Sequence, residues 1–127
     1  MIYTTDLEKV WPEIVGKITA IMERYPDDCD WTEEDIYCAL RDKRAFLFQC
    51  GEDDSFAICK IKPGRSGDVL FIWIAYGICG KRERNIAFLR EIARSAGASR
   101  MEWESPRRGF DRMQSVHRGM TKYSMEV

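Results

Sequence analysis

The second half of the chain constrains the fold most. Residues 68–75, Asp68-Val-Leu-Phe-Ile-Trp-Ile-Ala75, are apolar at nearly every position, as expected of a strand covered on both faces. The turn Gly77-Ile-Cys-Gly80-Lys81-Arg82 follows, then a helical pattern over 83–96, a stop at Gly97, and a strand over 99–105. A helix that returns the chain between two strands implies a parallel pair. A strand that enters a helix through a glycine turn also leaves free backbone N–H groups at the positive end of that helix, where a phosphate can sit.

The first half fits the same class. Residues 2–3 suit a short opening strand. Asp6 is a good N-cap, and Val10, Ile14, Ile18, Ile21 and Met22 recur at helical spacing, so a helix over about 7–25 is expected, with Pro12 in its early turns. Thr32-Glu-Glu-Asp35 opens a second helix, with acids in its first turn and Ile36, Ala39 and Leu40 as its apolar stripe. Residues 45–50 and 56–61 read as strands joined by a turn over 51–54, and Pro63-Gly-Arg-Ser-Gly67 turns into the strand at 68. Three strands linked this closely imply an antiparallel meander. A last strand is expected over 120–126. The expected class is α/β, a single domain over residues 1–127 with a mixed central sheet flanked by helices on both faces, in the order β-α-α-β-β-β-α-β-α-β.

Composition supplies a core and narrows the setting. The chain is 45% hydrophobic and 12% aromatic, enough to fold a 127-residue domain. No apolar run is long enough to cross a bilayer, and the first residues lack the basic and apolar regions of a signal peptide, so a cytoplasmic protein without a membrane partner is expected. Five cysteines without a C-x-x-C pair, and one histidine, argue against zinc and for reduced thiols. Net charge is −1, but residues 1–54 carry −8 and residues 55–127 carry +7. That asymmetry suits a second half that meets an anion, or head-to-tail self-association. The slightly negative total, without a helix-turn-helix or zinc pattern, argues against nucleic acid.

The element order, together with the joint Ile92-Ala-Arg-Ser-Ala-Gly97-Ala-Ser-Arg-Met-Glu-Trp-Glu104, resembles the GNAT superfamily of acetyl-CoA-dependent N-acyltransferases. Within it the chain looks most like the short GNAT-like proteins of tailed bacteriophages and prophages, in which a Gly-Arg-rich segment similar to Pro106-Arg-Arg-Gly-Phe110 introduces the last helix. The resemblance implies that the strand before the glycine turn splays from the strand after the helix and that acyl-CoA wedges into the gap. Pantetheine would then pair with the free strand edge, and turn N–H groups would hold the pyrophosphate. It implies cofactor contacts at Gly77, Gly80, Lys81 and Arg82, and no metal.

The amine acceptor would attack the thioester directly. Glu102 and Glu104, which alternate with Met101 and Trp103 and so share one sheet face, are the candidate bases. The family often protonates the leaving thiolate with a tyrosine; Ser115 stands at that position here, with His117 and Tyr123 nearby, and His117 is the candidate acid. Trp73 and Trp103 are candidates for an acyl pocket or for the core. The family turn has the form Arg/Gln-x-x-Gly-x-Gly/Ala, whereas Gly77-Ile-Cys-Gly80-Lys81-Arg82-Glu83-Arg84 keeps no Gly-x-Gly. Fewer N–H groups can then approach phosphate, so weak or absent acetyl-CoA binding is expected. Two functions stay open: an N-acetyltransferase acting on a small amine, or a non-catalytic binding or structural protein of phage origin, in host cytoplasm or virion.

Overall fold

The computed structural model describes residues 2–4, 6–27, 29–50, 54–77, 82–104, 116–119 and 122–127. The described elements are β1 (Ile2–Tyr3), α1 (Leu7–Arg24), α2 (Glu33–Arg41), β2 (Phe46–Gln49), β3 (Phe56–Gly64), β4 (Gly67–Tyr76), α3 (Arg82–Ser95), β5 (Arg100–Glu104), β6 (Val116–Gly119) and β7 (Lys122–Glu126). The strands form one sheet in the order β1-β2-β3-β4-β5-β7-β6. Every neighbouring pair is antiparallel except β4 and β5, which α3 connects and which run parallel. The chain is thus a mixed α/β protein, and the meander expected from its short turns is β2-β3-β4.

Local chemistry explains the helix ends. The Lys9 N–H donates to the Asp6 carboxylate at 3.3 Å, capping α1. Thr32 and Asp35 make a reciprocal capping box on α2. The Asp35 N–H donates to the Thr32 hydroxyl oxygen at 3.2 Å, and the Thr32 N–H donates to the Asp35 carboxylate at 2.8 Å. The chain leaves α3 through Gly97, whose φ of +76° is open to glycine and costly for other residues, and the Ala98 N–H donates back to the Ala93 carbonyl at 2.8 Å.

The sheet is covered on both faces. Ile14, Ile18, Ile36, Ala39 and Leu40 of α1 and α2 pack with Leu47, Phe56, Ile58 and Ile74 on one face. Leu89 and Ala93 of α3 pack with Ala57, Cys59, Leu70, Ile72, Met101, Trp103 and Met125 on the other. The helical spacing in α3 predicts Ile86, Phe88, Leu89, Ile92 and Ala93 among its inward positions. Leu89 and Ala93 are buried, Ile86 and Ile92 pack partly buried against the cluster, and Phe88 is half-buried. Asn85, a polar residue one turn ahead of Leu89, is also buried.

The end of the chain departs from expectation. The sequence predicts a helix ahead of the last strand and His117 near its end. Residues 105–115, where that helix would run, lie outside the described residues, and Val116–Gly119, which holds His117, is strand β6, antiparallel to β7. The pairing satisfies backbone groups that β7 would otherwise present along an open edge. The Gly-Arg-rich segment Pro106–Phe110 and Ser115 lie outside the described residues.

Cys38, Cys50 and Cys59 are free thiols. Burial in the α3-side cluster pushes the Cys59 thiol up to about 12, so it stays protonated and inert. Non-reducing mass analysis of fresh protein is expected to find all five cysteines of the chain, Cys79 included, as unpaired thiols; a stoichiometric intramolecular disulfide would contradict the reading of the cysteines as small packing residues.

Candidate functional site

The site grows from an irregularity in β4. Ile58 of β3 pairs with Ile74, but the next residue, Cys59, pairs with Ile72, so Trp73 is an extra residue in β4, a β-bulge. Strand side chains alternate between faces, and one extra residue reverses the alternation. Leu70 and Ile72 therefore join the α3-side cluster, while Ile74 and Tyr76 join the cluster beneath α1 and α2.

The parallel pairing ends at the same place. β4 meets β5 through Val69–Arg100, Leu70–Met101, Phe71–Glu102 and Ile72–Trp103, and there it stops. β4 continues through Trp73, Ile74, Ala75 and Tyr76, and Ala75 and Tyr76 pair only with Ala57 and Phe56 of β3. Among the described residues, the edge of β4 that faced β5 is therefore open over these four positions. An open edge offers backbone donors and acceptors to anything extended that lies along it.

Gly77 closes this run. Its φ is +74°, and a Cβ there would stand 2.8 Å from Ser55 Oγ. The Ser55 hydroxyl, buried at the start of β3, donates to the Gly77 carbonyl at 3.1 Å. Glycine is thus required both for the left-handed backbone and for the close approach of Ser55. Gly80 and Lys81 lie outside the described residues, as does the Arg82 side chain; Arg82 begins α3. Arg84 in its first turn donates to Cys50 Sγ at 3.5 Å and so joins the β2 end to α3.

The β5 candidates separate. Met101 and Trp103 are buried on the α3 face, which places Trp103 in the core and Glu102 and Glu104 together on the opposite face. Glu102 forms an ion pair with Lys62 at 3.4 Å. Glu104 is exposed, lies past the last β4–β5 pair, and stands opposite Lys122 of β7. The register aligns Glu102 with Ser124 of β7 and Ser124 with His117 of β6, so Glu102 and His117 occupy one row across three strands, about 10 Å apart at the backbone.

Sequence patterns missed the residues around Trp73. Lys60 Nζ lies 3.5 Å from the centre of the Trp73 ring, Trp31 meets that ring edge-on at 6.4 Å, and Lys62 Nζ lies 4.4 Å from the Phe71 ring centre. Burial lowers the Lys60 pKa from its ordinary value, Arg44 and Lys62 add to the shift, and Asp30 opposes it. Alternation of Lys60 and Lys62 along β3 was the available signal; their aromatic partners come from another strand. A separate open groove of about 470 Å³ between α1 and α2 is lined by Glu8, Trp11, Pro12, Glu33, Glu34 and Tyr37.

No group of acidic, histidine or cysteine side chains among the described residues is arranged to hold a metal. No described helix is long and apolar enough to cross a membrane. No family model, curated protein or solved structure matches the chain.

Proposed function

We propose that the chain is a small GNAT-type acyltransferase domain whose gap between β4 and β5 takes the extended arm of acetyl-CoA, with its phosphates held weakly. The observation that carries this reading is the parallel pairing that stops at Ile72–Trp103 while β4 runs on to Tyr76. Among the described residues, the free edge over Trp73–Tyr76 is four residues long and ends at Gly77, ahead of α3. An arm with amide groups pairs with such an edge as an added strand does.

The thioester would supply an activated acetyl group to an amine. Glu104 is the better placed base, because it lies past the last pair and is exposed. Either carboxylate would take the proton that the amine loses as it attacks. His117, in the same row as Glu102, is the proposed proton source for the departing thiolate. The α3 N-terminus, with Gly77, Gly80, Lys81 and Arg82, would face the pyrophosphate.

The ion pair of Glu102 with Lys62 favours a second reading, a non-catalytic binding or structural protein of phage origin that keeps the fold. Calorimetric titration with acetyl-CoA tests the donor site. Losing two charge-assisted hydrogen bonds at the shortened turn is expected to weaken affinity by roughly 10²–10⁴-fold. The remaining binding is expected to fall with added salt and with Lys81→Ala, since exposed charges are screened. Absence of any heat at low salt with millimolar ligand would remove the donor site. Micromolar affinity that persists at high salt would instead show a complete phosphate cradle.

A further inference from the structure

Asn85 is the least expected residue of α3. It is only 2% exposed, and its side-chain Nδ2 has no hydrogen-bond partner among the described residues. A buried amide without a partner is uncommon in native proteins because its donor has left water without compensation. Asn85 precedes Leu89 by four residues and Ala93 by eight, so all three share the stripe of α3 that packs on the sheet. Leucine or isoleucine would suit that stripe, and neither would leave a donor unused.

The position of Asn85 along the sheet gives it a use. α3 leaves the C-terminal end of β4 and returns the chain to the N-terminal end of β5, so its first turn stands over the C-terminal ends of both strands. That is the end at which β4 parts from β5, beyond Ile72 and Trp103. The orphan donor therefore sits where the open edge begins, one turn inside the helix N-terminus, with its free N–H groups.

We propose that Asn85 is a ligand-binding residue, whose Nδ2 donates to a carbonyl oxygen of an extended acyl-thioester arm lying in the gap between β4 and β5. This rests on the acyl-donor reading above and adds a specificity element to it. A carbonyl is the fitting acceptor. The neighbours of Asn85 on its stripe are apolar, and a neutral oxygen enters such surroundings at far lower cost than a phosphate. The arm's carbonyls are then selected by a donor that waits unpaired in the free protein, while the phosphates are left to the turn and the cationic residues.

The test uses three probes on the full chain, followed by nuclear magnetic resonance titration. Acetyl-CoA carries arm and phosphates, acetyl-pantetheine the arm alone, and adenosine 3′,5′-bisphosphate the phosphates alone. Asn85→Leu is expected to weaken acetyl-CoA and acetyl-pantetheine alike, by about tenfold, and to leave the bisphosphate unchanged. The same variant is expected to raise the melting temperature of the free protein, because the orphan donor is gone; this also verifies that it folds. Wild-type binding of the arm with no change in Asn85→Leu would overturn the role of Asn85 and leave the donor site standing. An equal loss for the bisphosphate would overturn the assignment to a carbonyl. A lower melting temperature would show that the amide is satisfied in the free protein and would overturn the proposal. Failure of the wild-type protein to bind either arm-bearing probe would remove the donor site and the role of Asn85 together.

Discussion

Phe56→Ala is expected to lower the unfolding free energy by about 3–5 kcal/mol, the range for deleting a fully buried aromatic side chain. Phe56 is 1% exposed and belongs to the cluster that α1 and α2 form with the sheet. It also stacks on Tyr76, with ring centres 5.5 Å apart and planes 14° apart, and the two residues pair at the last rung between β3 and β4. The substitution therefore leaves a cavity and removes a ring contact at the point where, among the described residues, β4 pairs on one side only. Denaturant unfolding of both proteins measures the difference. A loss below 1 kcal/mol would mean that this face is not packed as described. Because Phe56 anchors the free run of β4, the variant is also expected to weaken any ligand that lies along that edge.

Gly77→Val is expected to cost roughly 2–4 kcal/mol, from two sources. A β-branched residue at φ +74° is strained by about 1–2 kcal/mol, and its Cβ would meet Ser55 Oγ at 2.8 Å and Ser55 Cα at 3.2 Å. Any shift that relieves the clash also pulls the Gly77 carbonyl from the buried Ser55 hydroxyl, and the weakened hydrogen bond costs about 0.5–1.5 kcal/mol. Ser55→Gly added to Gly77→Val removes the side-chain clash and keeps the backbone strain, so the double variant is expected to recover part of the loss. Full additivity of the two substitutions would show that they do not touch.

How far the sequence reaches is clear from particular residues. Thr32 and Asp35 announced α2 because capping is local chemistry, and Gly97 ended α3 for the same reason. The spacing of Leu89 and Ala93 marked the inward stripe of α3. The alternation of Met101 and Trp103 against Glu102 and Glu104 separates the two faces of β5 from sequence alone. The bulge at Trp73 was invisible, because 69–74 are apolar throughout and such a run carries no parity to break. Without the bulge, the place where β4 parts from β5 has no mark in the sequence. β6 was missed because Val116-His-Arg-Gly119 is short and polar, and its pairing with β7 is what makes it a strand. Asn85 is not among the inward positions that the apolar spacing of α3 marks, and only packing against the sheet shows it buried. The Lys62–Glu102 pair joins two strands that are separated by β4, so no local pattern foretells it.

The central claim is that the open edge of β4 and the first turn of α3 form one binding site for an acyl-thioester arm. Backbone amide shifts followed by nuclear magnetic resonance, as acetyl-CoA is added at low and at high salt, test it most directly. The account predicts shifts concentrated at residues 73–77 and 82–85, with a midpoint that moves to higher ligand concentration as salt is raised. No shifts at millimolar ligand and low salt, or shifts confined to the groove between α1 and α2 around Trp11 and Tyr37, would contradict it.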